Sequence, residues 1–276
     1  MAVIDPPLIG HGLIAAGLGA IVGSFLNVVI HRLPARLDYQ ARVAQGGIDP
    51  AGSRAPDGVV FPGSRCPVCQ TPIRAWQNIP VVSYLLLCGQ ARCCGARISP
   101  GYPAIELAMA AIAVAVVTLL GPTPYAAAFG VMTALLLAMS VIDAQTLYLP
   151  DALTLPGVGL GLAASLLPAS PIGPMDAALG AAVGLAVLAL ARWVFRAVRG
   201  VDGLGGGDAK LLALLGAWGG VSVIPLTLVL APFVALSAVA VRHGVKGFSD
   251  PSVVLAFGPY LAAAGWLVLV HSMLVG

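Results

Sequence analysis

Long apolar runs, separated by short joints rich in Gly, Pro and polar residues, set the pattern of this chain: 8–30, 102–120, 124–142, 152–167, 176–195, 209–223, 225–241 and 253–274. A hydrocarbon core about 30 Å thick is crossed by about 20 helical residues. The pattern therefore predicts an all-α polytopic membrane protein with about eight transmembrane helices. The fourth and sixth runs are short, and the sixth is interrupted by Gly216, Gly219 and Gly220, so seven or nine spans also fit. The only long polar segment, 32–101, lies between the first two runs and is expected to form a small loop domain. Within it, 42–63 is rich in Gly, Pro, Ala and Asp without periodicity and reads as a flexible excursion. The predicted organisation is a first span over 1–31, the loop domain over 32–101 and a membrane domain over 102–276.

Composition strengthens the membrane reading. Of 276 residues, 59% are hydrophobic and only 9% charged, against about 25% charged in an ordinary soluble domain. The first run has no basic residue before it, is longer than a signal-peptide core and contains Asn27, so it is expected to be a retained span. No long charge run points to nucleic acid.

The distribution of charge also orients the chain. Arg32, Arg36, Arg42, Arg54, Arg65, Arg74, Arg92 and Arg97 lie between spans one and two; Arg192, Arg196, Arg199 and Lys210 flank the joint between five and six; Arg242 and Lys246 follow span seven. With eight spans all of these fall on one face, together with the joint 143–151, and basic loops are retained on the cytoplasmic side. Both termini then point away from the cytoplasm.

All five cysteines lie in the loop domain, where a reducing compartment disfavours disulfides. Cys66-Pro67-Val68-Cys69 is a good first half of a zinc ribbon, because two thiolates three apart on a tight turn can face one tetrahedral ion. The second half is irregular. A four-thiolate site would use Cys66, Cys69, Cys94 and Cys88, with Cys93 as the alternative fourth ligand, since adjacent residues rarely point at the same ion. The bland alternative is a decayed site of reduced thiols. A bound zinc ion would be structural, because so small a loop buries little apolar surface by itself.

Two carboxylates carry the candidate chemistry. Asp143 closes span three, and Asp208 opens span six behind the glycine-rich stretch 201–207, so both lie at the cytoplasmic membrane edge. Ionisable groups in that position are expensive and usually functional. Two adjacent carboxyl groups share a proton, so one acts as acid while the other activates water. The glycines are expected to free Asp208 from helical constraint and let backbone approach a substrate; a turn followed by an N-cap aspartate is the bland alternative. A transporter lined by Asp143, Asp208 and Lys210, or an inactive zinc-ribbon scaffold, are rival readings.

Taken in order, Gly23-Ser24-Phe25-Leu26-Asn27-Val28-Val29-Ile30-His31-Arg32-Leu33-Pro34, Ser64-Arg65-Cys66-Pro67-Val68-Cys69, Asn78-Ile79-Pro80-Val81-Val82-Ser83-Tyr84, Cys94-Gly95-Ala96-Arg97-Ile98-Ser99, Ile142-Asp143 with Leu149-Pro150-Asp151, Gly205-Gly206-Gly207-Asp208-Ala209-Lys210 and Phe257-Gly258-Pro259-Tyr260 resemble the type IV prepilin peptidase family. The resemblance implies a multi-pass aspartic protease of the bacterial inner membrane, with Asp143 and Asp208 as its catalytic pair, that removes the leader from prepilins and pseudopilins at the cytoplasmic face. It further implies methylation of the new N-terminal residue from S-adenosylmethionine, with peptidase activity alone as the alternative. Ala91 stands where the family's third cysteine is expected, a departure that bears on the metal site and on methylation. Asp151 matches a further family aspartate or is an N-cap. Glu106 pairs with an arginine, serves methyl transfer or makes an interhelical hydrogen bond. Lys210 pairs with a catalytic aspartate or with substrate, or snorkels. Asn27 bonds across helices or meets substrate.

Overall fold

The computed structural model describes residues 6–47, 55–200, 205–243 and 255–275. Arg54, Lys246, residues 201–204 of the glycine-rich stretch and Val253, where the last span was predicted to begin, lie outside the described residues. The elements are α1 (Pro6–Ala44), a 3-10 turn (Ala75–Asn78), α2 (Val82–Leu86), α3 (Gly101–Leu120), α4 (Pro124–Thr146), α5 (Asp151–Ala164), α6 (Pro174–Arg199), α7 (Gly206–Gly219), α8 (Val223–His243) and α9 (Gly258–Val275). Among the described residues the protein is helical, with two isolated β-bridges in the loop. Six helices, α1, α3, α4, α6, α8 and α9, are long and apolar enough to cross a membrane. The other two apolar helices, α5 and α7, have 14 residues each, about 21 Å of rise. They correspond to the short fourth and sixth runs.

The chain forms two compact units, Met1–Ala126 and Ala127–Gly276. In the first, α1 packs on α3 backbone to backbone. A Cβ on Gly23 would lie 2.7 Å from Glu106 Cα, and one on Gly19 would lie 2.8 Å from Ala113 Cβ. Small residues four apart are what allows helices to approach this closely in lipid. The same interface joins Asn27 Nδ2 to the Tyr102 carbonyl at 3.1 Å and stacks His31 on Tyr102 with ring centroids 5.1 Å apart. The alternative of Asn27 bonding across helices is therefore the one observed.

Beyond the predicted end of span one, α1 continues through Pro34 to Ala44. Residues 32–44, expected in the loop, are helical. Arg32 at this extension donates to the carbonyls of Gly58, Pro62 and Gly63 at 2.9, 2.7 and 3.2 Å, which holds residues 58–63 against α1 where the composition had predicted a flexible excursion.

In the second unit α7 is the hub. Its residues from Leu211 to Gly219 are all buried, and it packs against α5, α6, α8 and α9. A helix apolar on every side is an interior helix; one sheltered by protein need not match the bilayer in length. Gly180 of α6 and Gly216 of α7 face each other so closely that a Cβ on either would strike the other's carbonyl oxygen, and one on Gly184 would lie 2.5 Å from the Leu212 carbonyl. Trp218 fills the adjoining core, edge-on to Phe129 at 6.0 Å and donating Nε1–H to the Gly157 carbonyl at 3.1 Å.

Candidate active site and thiol cluster

Asp143 occupies the last turn of α4, and Asp208 the first turn of α7. Both are buried, at 6% and 8% exposure, which is unusual enough for ionisable groups to single out the place where they meet. Leu149 packs both on Gly207, the neighbour of Asp208, and on Gly258, the residue that bonds Asp143, so the structure brings the two sequence-predicted carboxylates into one site. Asp143 Oδ2 accepts the backbone N–H of Gly258, the first residue of α9, at 3.0 Å.

Of the two reasons expected for the glycines before Asp208, freedom from helical constraint does not hold. Gly206 and Gly207 are already helical, and Asp208 is in regular α-helix. What they lack is room. A Cβ on Gly205 would lie 3.1 Å from Asp208 Oδ2, one on Gly206 would strike the Arg192 guanidinium, and one on Gly207 would lie 2.6 Å from Leu149 Cβ. Leu149, buried in the α4–α5 joint, also lies 3.3 Å from where a Gly258 Cβ would be. The side chain thus underlies both N-termini that frame the carboxylates.

Lys210 bonds neither carboxylate of the pair in the described structure; its ammonium bridges both oxygens of Asp151 at 2.5 and 2.7 Å. Pro150 is the N-cap of α5 and Asp151 its first residue, so the capping alternative for Asp151 does not hold. Asp208 is likewise not a cap, since that position belongs to Gly205. His11 and His271 belong to the second turn of α1 and the C-terminal end of α9, well away in sequence from every candidate group.

In the first unit Glu106 Oε2 accepts the N–H of Val81, the residue before α2, at 2.8 Å, so the bond joins a helix to the loop and is neither the expected bond between helices nor an arginine pair. Val81 has φ +59°, a strained value for a β-branched residue, and the buried carboxylate holds it there.

The thiols are set on two knuckles of the same design, offset by 25 residues. In the first, Cys66 N–H donates to Thr71 O at 3.0 Å, Gln70 N–H to Cys66 O at 2.9 Å and Ile73 N–H to Ser64 O at 2.9 Å. In the second, Ala91 N–H donates to Ala96 O at 2.8 Å, Gly95 N–H to Ala91 O at 2.7 Å and Ile98 N–H to Gly89 O at 2.8 Å. The equivalent left-handed residues are Gln70 and Gly95, and the bridges Arg65–Pro72 and Gln90–Arg97 close the two hairpins. By this correspondence Ala91 takes the place of Cys66, Cys94 that of Cys69 and Cys93 that of Val68.

The sulfurs of Cys66, Cys69, Cys93 and Cys94 all lie within 4.8 Å of one another. Cys88, the preferred fourth thiol of the sequence reading, is not in this group: it precedes the base of the second hairpin, whereas Cys93 and Cys94 stand at its tip. The tight turn that lets both adjacent side chains reach inward was not visible in the spacing. The Thr71 hydroxyl, then Cys93, draws the Cys69 thiol down to about 6, while Cys69 pushes the Cys93 thiol up to about 12.

Comparison with known proteins follows these two sites. The model of the bacterial peptidase A24 N-terminal domain matches residues 18–120. That of the type IV leader peptidase family matches residues 130–241 and so includes Asp143 and Asp208. A prepilin leader peptidase/N-methyltransferase of Pseudomonas aeruginosa is 43% identical over 91% of this chain and 87% of its own. The chain belongs to the type IV leader peptidase family. Proteins of the same name from Stutzerimonas stutzeri and Neisseria gonorrhoeae are 44% and 39% identical to this family member, over 93% and 92% of it and 89% and 88% of their own lengths. No solved structure matches it. Sequence reasoning about this leader peptidase family member missed Leu149 and the amide of Gly258, although the Phe-Gly-Pro box at the predicted start of the last span marked the place.

Proposed function

We propose that this chain is a prepilin peptidase of the bacterial inner membrane, using Asp143 and Asp208 to cut leaders from prepilins or pseudopilins and its loop domain to methylate the new N-terminus. The observation that carries this reading is the placing of two buried carboxylates, at the ends of α4 and α7, around the same Leu149 and Gly258 in a chain of this family. One carboxylate takes a proton from water as its oxygen adds to the scissile carbonyl. The other gives a proton to the amide nitrogen as the C–N bond breaks. The apolar stem of the substrate would run in lipid beside the helices, with its leader junction at the carboxylates. The pattern of basic residues supports a cytoplasmic face for this site and periplasmic termini.

The thiol group fits a structural zinc ion with Cys66, Cys69, Cys93 and Cys94 as ligands. Sulfurs bound tetrahedrally to zinc lie about 3.8 Å apart; here Cys66–Cys94 and Cys93–Cys94 are 3.7 and 3.9 Å, and Cys69–Cys93, at 3.1 Å, would have to open to take the ion. Bound there, zinc would join the two knuckles into one unit. S-adenosylmethionine is the methyl donor in this reading. An open cleft of about 530 Å³ beside the second knuckle is lined by Tyr84, Cys88, Gln90, Arg97 and Ser99 and is the place in the loop domain we assign to it.

Purified protein incubated with a prepilin and S-adenosylmethionine, followed by mass spectrometry, tests both activities. Asp143→Asn and Asp208→Asn should each abolish leader loss while the protein still accumulates in membranes. Cleavage at the normal rate by either variant would overturn the assignment.

A further inference from the structure

The Phe257-Gly258-Pro259-Tyr260 box offers neither a carboxylate nor a metal ligand, and it lies beyond the residues 130–241 that match the peptidase family model. The backbone of α9 explains why the box is there. A helix begins with N–H groups that have no partner inside it. In α9 the N–H groups of Tyr260 and Leu261 turn back to Phe257 O, both at 3.1 Å, and Pro259 has none. That leaves the N–H of Gly258, which points out of the helix and donates to Asp143 Oδ2 at 3.0 Å across 115 residues of sequence.

Resting on the reading of Asp143 and Asp208 as the reacting pair, we propose that Gly258 is a positioning residue. Its amide fixes the orientation of the Asp143 carboxylate in the site shared with Asp208, and its missing side chain makes the approach possible. A Cβ at this position would lie 2.7 Å from Asp143 Oδ2, 3.1 Å from Cγ and 3.3 Å from Leu149 Cδ1. The closest clash is with the Asp143 carboxylate itself, and Leu149, buried and also in contact with Gly207, stands next to it, so the carboxylate must turn. The helix-start dipole adds to the hydrogen bond in favouring a carboxylate oxygen at that point. Pro259 contributes by presenting no second amide for which the carboxylate would turn.

The test compares Gly258→Ala with Gly265→Ala, a second crowded glycine of α9 whose Cβ would meet Leu215 and not the reacting pair. Steady-state cleavage of a prepilin and thermal unfolding in detergent are measured for both. Gly258→Ala should lower kcat by about 100-fold, the cost of a misplacement near 1 Å, with KM within twofold and unfolding close to wild type. Gly265→Ala should lower the unfolding temperature while the folded fraction keeps its kcat. A Gly258→Ala protein with kcat within twofold of wild type overturns the proposal. So does a loss of kcat that Gly265→Ala matches at equal loss of stability. Asp143→Asn and Asp208→Asn are run in parallel: if they cleave normally the dyad itself fails, whereas inactive aspartate variants beside an active Gly258→Ala refute only the positioning role.

Discussion

Cys93 occupies a position at which the matching knuckle carries Val68, and it brings to the thiol group the sulfur that Ala91 lacks. If the tip of the hairpin fixes which thiols converge, Cys93→Ser should leave less than one equivalent of zinc on the purified protein, while Cys88→Ser should retain the wild-type amount by metal analysis. The double change Ala91→Cys with Cys93→Val should restore full zinc, because it gives the second knuckle the C-x-x-C of the first. Retention of zinc by Cys93→Ser would remove this residue from the ligand set. The Lys210–Asp151 pair has side chains 37% and 49% exposed, so water screens it and its worth is at most about 1 kcal/mol. Asp151→Asn should therefore shift thermal unfolding only slightly. The places of interest were readable in the sequence where a side chain is costly to bury, as for Asp143 and Asp208. They were hidden where the acting group is a backbone amide, as at Gly258, or where a turn decides direction, as at Cys88 and Cys93.

At the level of elements, hydropathy alone located the six long apolar helices found among the described residues, because a helix that crosses hydrocarbon needs a continuous apolar run. It also flagged α5 and α7 as short. What it did not contain was the extension of α1 past Pro34, since the charged residues there match a helix in water as well as a loop; the exposed Arg42–Asp38 pair at 2.9 Å follows the i, i+4 spacing of such a helix. Of the three glycines read as interrupting the sixth run, Gly216 and Gly219 are close helix contacts and Gly220 caps α7. Gly180 and Gly184 on α6 oppose Gly216 and Leu212 on α7 with no space for a side chain. Gly216→Val should destabilise by about 3 kcal/mol, seen as a lower unfolding temperature in detergent. Because α7 carries Asp208, cleavage activity should be lost in the same temperature range. Gly130, with nothing near its missing Cβ, should accept Ala without cost on the same assay.

For the whole molecule, the thiol cluster belongs to the first compact unit and the carboxylate pair to the second. The family models divide the chain in nearly the same place, 18–120 and 130–241. Each candidate activity is therefore built from its own set of local contacts. The knuckles rely on backbone hydrogen bonds and two isolated bridges, with little buried apolar surface: of the four clustered cysteines only Cys66 is buried. Loss of a metal crosslink removes a large share of what orders such a loop. The carboxylate pair rests on α4, α7 and α9, whose shared core includes Met139, Ile142, Leu211, Leu215 and Leu261, all fully buried. Treatment with a metal chelator should consequently abolish methyl transfer to a pre-cleaved pilin and leave the initial rate of leader removal within about twofold of the untreated protein. Re-addition of zinc should restore methylation. A parallel fall of both rates would mean that the loop also supports cleavage, and a methylation rate indifferent to the chelator would show that the four thiols serve neither activity through a metal.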